Sequence, residues 1–518
     1  PTWEGAWHQG MGQRIRDEDA LLDGASLTVP LLESIARGEQ ATVERGRFIA
    51  VERAHRRLVD AREHGAVYGA NTGVGANRNV RVRTDSDAAS AGDIGGDCAV
   101  AVVGERAGHA RRLLLSHCTG VGPVEDDALT RAAMTVRLNQ FLAGGSGISV
   151  PVVEGLRDAL ASDSLPTLHR LGAIGMGDLP QLAELALTLG GDRLWRRGGI
   201  APVVFTDSDS LPFMSSSAVT LAAAALGSSA LRSPQRSAVV VAALSLLALE
   251  GSREAYDDDV HRRRNVPCQR EVAAAMRRLT GMDGPAARDG ARIQDPFGLR
   301  VFPQVHAPAL DALNRLDMLV EAEMNAAVEN PLVISSGVAH NGQFHLAAIA
   351  AALDNARTAL FPTLTLSAAR LGMLFRPDLT GLRPFLAHGD PGSSGLMVGE
   401  YVVQDVLATL RSAVVPVSGG TLSISLGLED HAGFATQGAR LLRYAAAEAP
   451  TVVAVEALAA VRALRLVPDR LVDGPAREAF EYVAQGIDPA MEDRPMGEDI
   501  ARVVELLPGL GRFLGADL

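Results

Sequence analysis

The sequence predicts a mainly α protein, a long central helical bundle joined to a mixed N-terminal domain. Three observations lead there. Apolar residues recur three and four apart over the stretches 146–160, 178–189, 218–231, 237–251, 307–329, 347–371 and 399–415, the spacing of a helix face. Several stretches are long, rich in Ala and Leu, and apolar on more than one face, as in helices surrounded by other helices or buried between chains. Alternating strand-like runs are few.

The elements follow in order. The 178–189 helix is bounded on both sides: Asp178 stands in front as a capping carboxylate, Leu179, Leu182, Ala183, Leu185, Ala186 and Leu189 form its apolar set, and Gly190-Gly191 stop it. A Gly-, Pro- and Asp-rich break at 194–210 divides the chain softly into residues 1–205, the mixed domain, and 206–518, the bundle. The longest apolar run, 238–249, is too short to cross a bilayer and reads as a core helix. The polar, Gly-rich stretch 281–290 reads as a loop. The remaining periodic stretches, 307–329, 347–371 and 399–415, fill the bundle.

Composition limits the chemistry. The 518 residues are 47% hydrophobic, 21% charged and 4% aromatic, which describes a globular protein with an Ala/Leu/Val core. A net charge of -12 argues against nucleic acid or an anionic membrane as partner. All 49 basic residues are arginine. A chain without lysine forms no lysine Schiff base, so ordinary pyridoxal phosphate chemistry is excluded, as is a Walker-type lysine. Cys98, Cys118 and Cys268 are odd in number and widely spaced, which suggests buried thiols rather than disulfides or a zinc site. His306, His340 and His388 show no ligand spacing, and no metal is expected. The chain opens Pro1-Thr2-Trp3-Glu4 without a basic-then-apolar leader, and the cytoplasm is the expected compartment.

Gly175-Met176-Gly177 leads into the N-terminus of the 178–189 helix. Free N–H groups and the positive dipole end collect there and favour a developing negative charge. Alone, the stretch reads first as a glycine turn that merely feeds a helix, because such turns are common.

The surrounding residues form a longer pattern. Gly172-Ala173-Ile174-Gly175-Met176-Gly177-Asp178-Leu179-Pro180 resembles the active-site segment of the histidine/phenylalanine/tyrosine ammonia-lyase family. Tyr68-Gly69-Ala70-Asn71-Thr72-Gly73, Leu115-Ser116-His117, Arg137-Leu138-Asn139 and Gly145-Ser146-Gly147 are similar to further motifs of that family. So are Gln294-Asp295-Pro296-Phe297, Asn330-Pro331-Leu332, Gly342-Gln343-Phe344-His345 and Glu429-Asp430-His431, in the family order. The likeness is greatest to histidine ammonia-lyase.

The resemblance implies the ammonia-lyase fold and a homotetramer whose active sites draw on several chains. It implies Tyr68 as the base that removes a proton β to the substrate carboxylate, and Arg300 as the grip on that carboxylate. Gln294, Phe297 and Phe344 take pocket positions, with Phe297 and Arg300 entering a neighbouring subunit's pocket. His117 and Glu429 fall where histidine-specific members contact the imidazole. Asn71, Met176 and Gly177 belong to the segments that line the site. The implied partner is a small, amino-acid-like carboxylate.

Three departures concern one group. The family's Ala-Ser-Gly triplet, which cyclises to the electrophile methylidene-imidazolone, is replaced by Met176-Gly177. Ser215, in Met214-Ser215-Ser216-Ser217, replaces the asparagine that bonds that group. Phe297 replaces a second catalytic tyrosine. The implication is an enzyme without the electrophile and without other cofactors, with Tyr68, Arg300 and Ser215 as its catalytic groups. Elimination, conjugate addition or cyclisation would suit such a set. A non-catalytic ligand-binding or assembly member, and a true histidine-type ammonia-lyase, stand as alternatives.

Overall fold

The computed structural model describes residues 20–82, 108–281 and 290–515. Cys98, the N-terminal Pro1-Thr2-Trp3-Glu4 and most of the 281–290 loop lie outside them. Helices dominate, as predicted. The two longest, Ala218–Ala248 and Ala435–Leu466, pack most extensively against each other. Ala347–Leu374 lies on the second of these, and Phe302–Met324 lies on Ala347–Leu374. By length and composition both long helices are apolar enough to cross a membrane, but most of their apolar windows lie inside the protein. They are core helices, and their small Ala and Gly side chains permit the close approach.

Buried ion pairs tie the bundle together. The Arg370 guanidinium donates to both Glu456 carboxylate oxygens at 2.6 and 2.8 Å, and the Ser245 and Ser367 hydroxyls donate to the same carboxylate. This cluster joins three helices. A buried carboxylate is tolerated only with such partners.

The mixed character of the N-terminal part comes from two-stranded ribbons. Ala20–Leu22 pairs in parallel with Ala41–Val43, and Val121–Val124 pairs antiparallel with His169–Leu171. A third ribbon, Leu332–Ile334 with Gly337–Ala339, is a hairpin beside the bundle. The helices between them carry the expected caps: the Thr28 hydroxyl accepts from the Leu31 N–H, and Asp126 accepts from the Leu129 N–H. The division expected at residue 205 falls on an irregular segment, 198–206. One contiguous apolar cluster nonetheless runs from Ala20 to Leu514.

Three details differ from expectation. The 218–231 and 237–251 stretches are one helix, Ala218–Ala248, that continues through Pro234. A proline costs a helix interior about 3 kcal/mol, and burial along nearly the whole helix offsets it. Asp178 does not cap the Leu179–Leu189 helix with its side chain; it serves another helix, as described below. Cys118 and Cys268 are free but only half-buried.

Candidate active site

A cavity of about 520 Å³ opens at the N-terminal ends of the core helices. Its floor is the Gly175-Met176-Gly177 turn, where Met176 and Gly177 line the space. Gly175 has φ +87° and sits so close to the first turn of Ala435–Leu466 that a Cβ would lie 2.4 Å from the Ala435 nitrogen. Only glycine fits there.

Three helix N-termini meet under this floor, those of Leu179–Leu189, Ala218–Ala248 and Ala435–Leu466. Asp178 links the first two. Its N–H donates to the Ser216 carbonyl at 2.7 Å, and its carboxylate accepts from the Thr220 N–H at 2.7 Å and the Thr220 hydroxyl at 2.8 Å. The Thr220 and Thr436 hydroxyls bond at 2.7 Å and bring in the third helix. The carboxylate is spent on the first turn of Ala218–Ala248, where the dipole favours negative charge. Burial still pushes it up to about 6.

Ser215 and Ser216 form one wall. The Ser215 hydroxyl accepts from the Asn330 N–H at 2.9 Å, so its own proton is directed elsewhere. Ser216 donates to Gln140 Oε1 at 2.6 Å, and Arg137 donates to the same oxygen at 3.1 Å. Arg137 also donates to the Phe213 and Pro212 carbonyls and pairs with Glu329 at 2.9 Å, all of it buried. The Arg137-Leu138-Asn139 motif is therefore scaffolding. Asn139 likewise bonds the Gly24 N–H and the Met324 carbonyl.

The opposite wall is made by two loops. Tyr68 stands on one, and its hydroxyl accepts from the Gly75 N–H at 2.8 Å. The 424–429 loop docks on it, where the Ala76 N–H donates to the Ser425 hydroxyl, and brings Glu429 to the cavity. Burial pushes the Tyr68 phenol up and the Glu429 charge adds to that, while the Gly75 N–H and Arg78 pull the other way. Within one chain the phenol is therefore a poor base. A cation held beside Tyr68 and Glu429 would correct this.

Of the residues singled out from sequence, the cavity brings together Tyr68, Met176, Gly177, Ser215, Phe344 and Glu429. It does not bring in the other five within one chain. Asn71 is a correction: its amide is used up on the Val67 N–H and on the Arg62 and Gly65 carbonyls, so it shapes the loop and does not face the cavity. His117 ends its helix, with Nδ1 2.8 Å from the Leu113 carbonyl, outside the cavity. Gln294, Phe297 and Arg300 sit on another surface. Phe297 is 64% exposed, Gln294 is exposed, and the Arg300 guanidinium lies 4.6 Å over the Phe297 ring while donating to the Asp295 carbonyl at 2.8 Å.

Sequence reasoning missed His340, Asn330, Arg78 and Leu211, all of which line the cavity. His340 accepts from the Tyr68 N–H at 3.2 Å and meets the Tyr68 ring edge-on. Its nearness to the Phe344 motif was the available signal. His345 and His431 bond to each other at 3.0 Å. Among the described residues no group of three or more His, Cys, Asp or Glu side chains is placed to hold a metal ion.

The site is thus a cavity over converging helix N-termini, floored by a glycine turn and faced by a loop tyrosine. The family model for aromatic amino acid lyases matches residues 27–485, and the chain belongs to that family. Histidine ammonia-lyase from Anaeromyxobacter dehalogenans is 31% identical over 95% of this chain and 98% of its own length. The Bacillus subtilis histidine ammonia-lyase is 28% identical over 94% and 96%. Two solved structures share the fold. Ergothionase from Treponema denticola, an ergothioneine-degrading enzyme, matches with a TM-score of 0.84 at 23% identity, covering 96% of this chain and 99% of that one. Trypanosoma cruzi histidine ammonia-lyase matches with a TM-score of 0.83 at 24% identity, covering 95% and 94%.

Proposed function

We propose that this chain is a lyase that eliminates a leaving group from a small amino-acid-like carboxylate without methylidene-imidazolone. The turn Gly175-Met176-Gly177 carries this reading. That electrophile arises from a serine that loses its hydroxyl, and only Met176 and Gly177 stand between Gly175 and Asp178. Gly175 is held against Ala435, and the Asp178 N–H is committed to Ser216. The residues present do not fit the group, and no step runs through it.

The remaining groups suit a substrate that needs little activation. Tyr68 takes the proton β to the carboxylate, the C–H electron pair becomes the new carbon–carbon double bond, and the bond to the leaving group breaks towards that group. Arg300 from a neighbouring subunit holds the carboxylate through its planar fork. The exposed Phe297–Arg300 surface supports this placement between chains. Ser215 donates its free proton to the substrate. The same set would serve conjugate addition or cyclisation.

An amine is a poor leaving group unless it is activated, and each 1.36 kcal/mol of lost activation slows the reaction about tenfold. A quaternary ammonium avoids this, because it departs as a neutral tertiary amine. Its charge would also lie against Glu429 and help to ionise Tyr68. We therefore favour an amino-acid betaine, and the similarity to an ergothioneine-degrading enzyme supports that choice. A second reading, a true histidine-type ammonia-lyase, is favoured by the names of the Anaeromyxobacter dehalogenans and Bacillus subtilis relatives.

Two measurements separate them. The intact mass of the purified chain is expected to equal that of its sequence. The N-trimethyl betaine of histidine is expected to release trimethylamine while L-histidine releases no ammonia. A mass lower by two waters, one for ring closure and one for loss of a side-chain hydroxyl, together with ammonia from L-histidine, would establish the second reading. Release from neither substrate would favour a binding role.

A further inference from the structure

A second cavity, of about 250 Å³, lies behind the first, on the other side of Asp178. It is enclosed by the Val121–Val124/His169–Leu171 ribbon and by the first turns of the three converging helices. It is smaller than the ~300–1,000 Å³ of sites for drug-sized ligands, so it has room only for a small molecule.

Its polar groups are incompletely matched. Glu125 is only 4% exposed, and its Oε2 accepts no hydrogen bond. Its nearest cations, Arg170 at 3.4 Å and Arg443 at 3.7 Å, stand beyond good hydrogen-bond length, and Arg443 is engaged by Asp126 at 2.5 Å. Gln181 is 1% exposed; its amide donates to the His169 and Arg170 carbonyls, but its Oε1 accepts nothing. Buried acceptors without donors are costly and uncommon. Arg440 shows the opposite deficit. Its guanidinium donates to the Arg170 carbonyl; the Glu125 and Asp178 carboxylates act on its charge through space, but among the described residues neither forms an ion pair with it.

Two acceptor oxygens that lack donors and a guanidinium without a direct ion pair, in one small space, describe the complement of a zwitterion. We propose that this cavity binds a free α-amino acid, its ammonium on Glu125 and Gln181 and its carboxylate on Arg440. Val219 and Ala223 on the Ala218–Ala248 helix leave room for a small side chain. Asp178 forms the wall between this ligand and the Met176-Gly177 floor, so occupancy reaches the larger cavity through one residue. The inference rests on the second cavity alone and not on the reaction proposed above.

Equilibrium dialysis of the full chain with radiolabelled L-alanine tests it. Saturable binding of one alanine per chain is expected. Arg440→Gln, which removes the anion partner, and Ala223→Leu, which fills the space and keeps every polar group, should each weaken it at least tenfold. Tyr68→Phe, in the larger cavity, should leave it unchanged. Acetate and methylammonium, each carrying half of the charge pattern, should fail to displace alanine at equal concentration. No saturable binding, parent-like binding in either cavity variant, loss in Tyr68→Phe, or displacement by either half-ligand would overturn the proposal. The displacement arm needs only the unaltered protein, so misfolding of a variant leaves the proposal open to refutation.

Discussion

Asp178 and Thr220 are joined twice, through the Thr220 N–H at 2.7 Å and the Thr220 hydroxyl at 2.8 Å, and this pair fixes the start of one core helix to the start of another. The carboxylate so held is fully buried, and burial pushes it up to about 6. An unfolded aspartate titrates near 3.9.

Between those two values the folded protein keeps a proton that the unfolded chain has released. Stability contributed by Asp178 is therefore present at low pH and falls as pH rises through about 4 to 6, by about 1.4 kcal/mol per unit. Asp178→Asn should remove this contribution, so that across this window the slope of melting temperature against pH becomes more positive than in the parent, where His306 opposes it. A variant with the same slope as the parent would show that Asp178 titrates normally.

His306 should act in the opposite sense. It is buried, stacked on Phe302 with ring centres 4.8 Å apart, and burial pushes it down to about 3, with the Arg370 charge adding to that. The unfolded chain takes up the imidazole proton first, so stability is full above about 6.5 and falls as pH drops towards 3. His306→Phe should flatten the acid limb of the melting profile and expose the Asp178 slope more clearly.

Arg137 and Glu329 pair at 2.9 Å with no solvent exposure. Removing one partner of a buried pair costs about 3–5 kcal/mol. Arg137→Leu should lose that much in denaturant unfolding. It should also disturb the Gln140–Ser216 contact, and with it any ligand affinity of the larger cavity. Exchanging both residues, Arg137→Leu with Glu329→Leu, should recover most of the stability.

If Arg300 acts in a neighbour's cavity, two inactive variants should complement each other. Tyr68→Phe and Arg300→Ala are each expected to lower turnover by at least about a hundredfold, the lower range for a general base. Chains of both kinds, co-expressed and purified together, should regain a clear fraction of the parent rate, because some mixed sites hold an intact Tyr68 and an intact Arg300. Absence of recovery in confirmed mixed assemblies would put both residues in one chain's site.

The bundle was legible because its helices carry long periodic apolar patterns, and Leu179–Leu189, Ala347–Leu374 and Gly399–Ala413 were located to within a few residues. The Ala435–Leu466 helix was not. Pro450 interrupts it, and Arg440, Arg443, Glu456 and Arg462 break its apolar face. Charges such as Glu456 and Arg443 find their partners, Arg370 and Asp126, only in three dimensions. For the site, the motifs led to Tyr68, Ser215, Phe344 and Glu429. They misled at Asn71, whose bonds to the backbone of its own loop depend on a conformation that composition does not encode. Asp178 was misassigned for a related reason: its position suits a cap, but Thr220, 42 residues away, offers two donors instead of one.

The floor of the larger cavity also sets an order of events in folding. Asp178 reaches Thr220 across 42 residues, and Thr220 reaches Thr436 across 216. Contacts of such separation form after local helices, because a long loop must close first. A nascent chain cannot complete this floor until residue 436 has left the ribosome. In refolding, helical signal should return before any ligand is recognised, so ligand recognition reports that the bundle has closed.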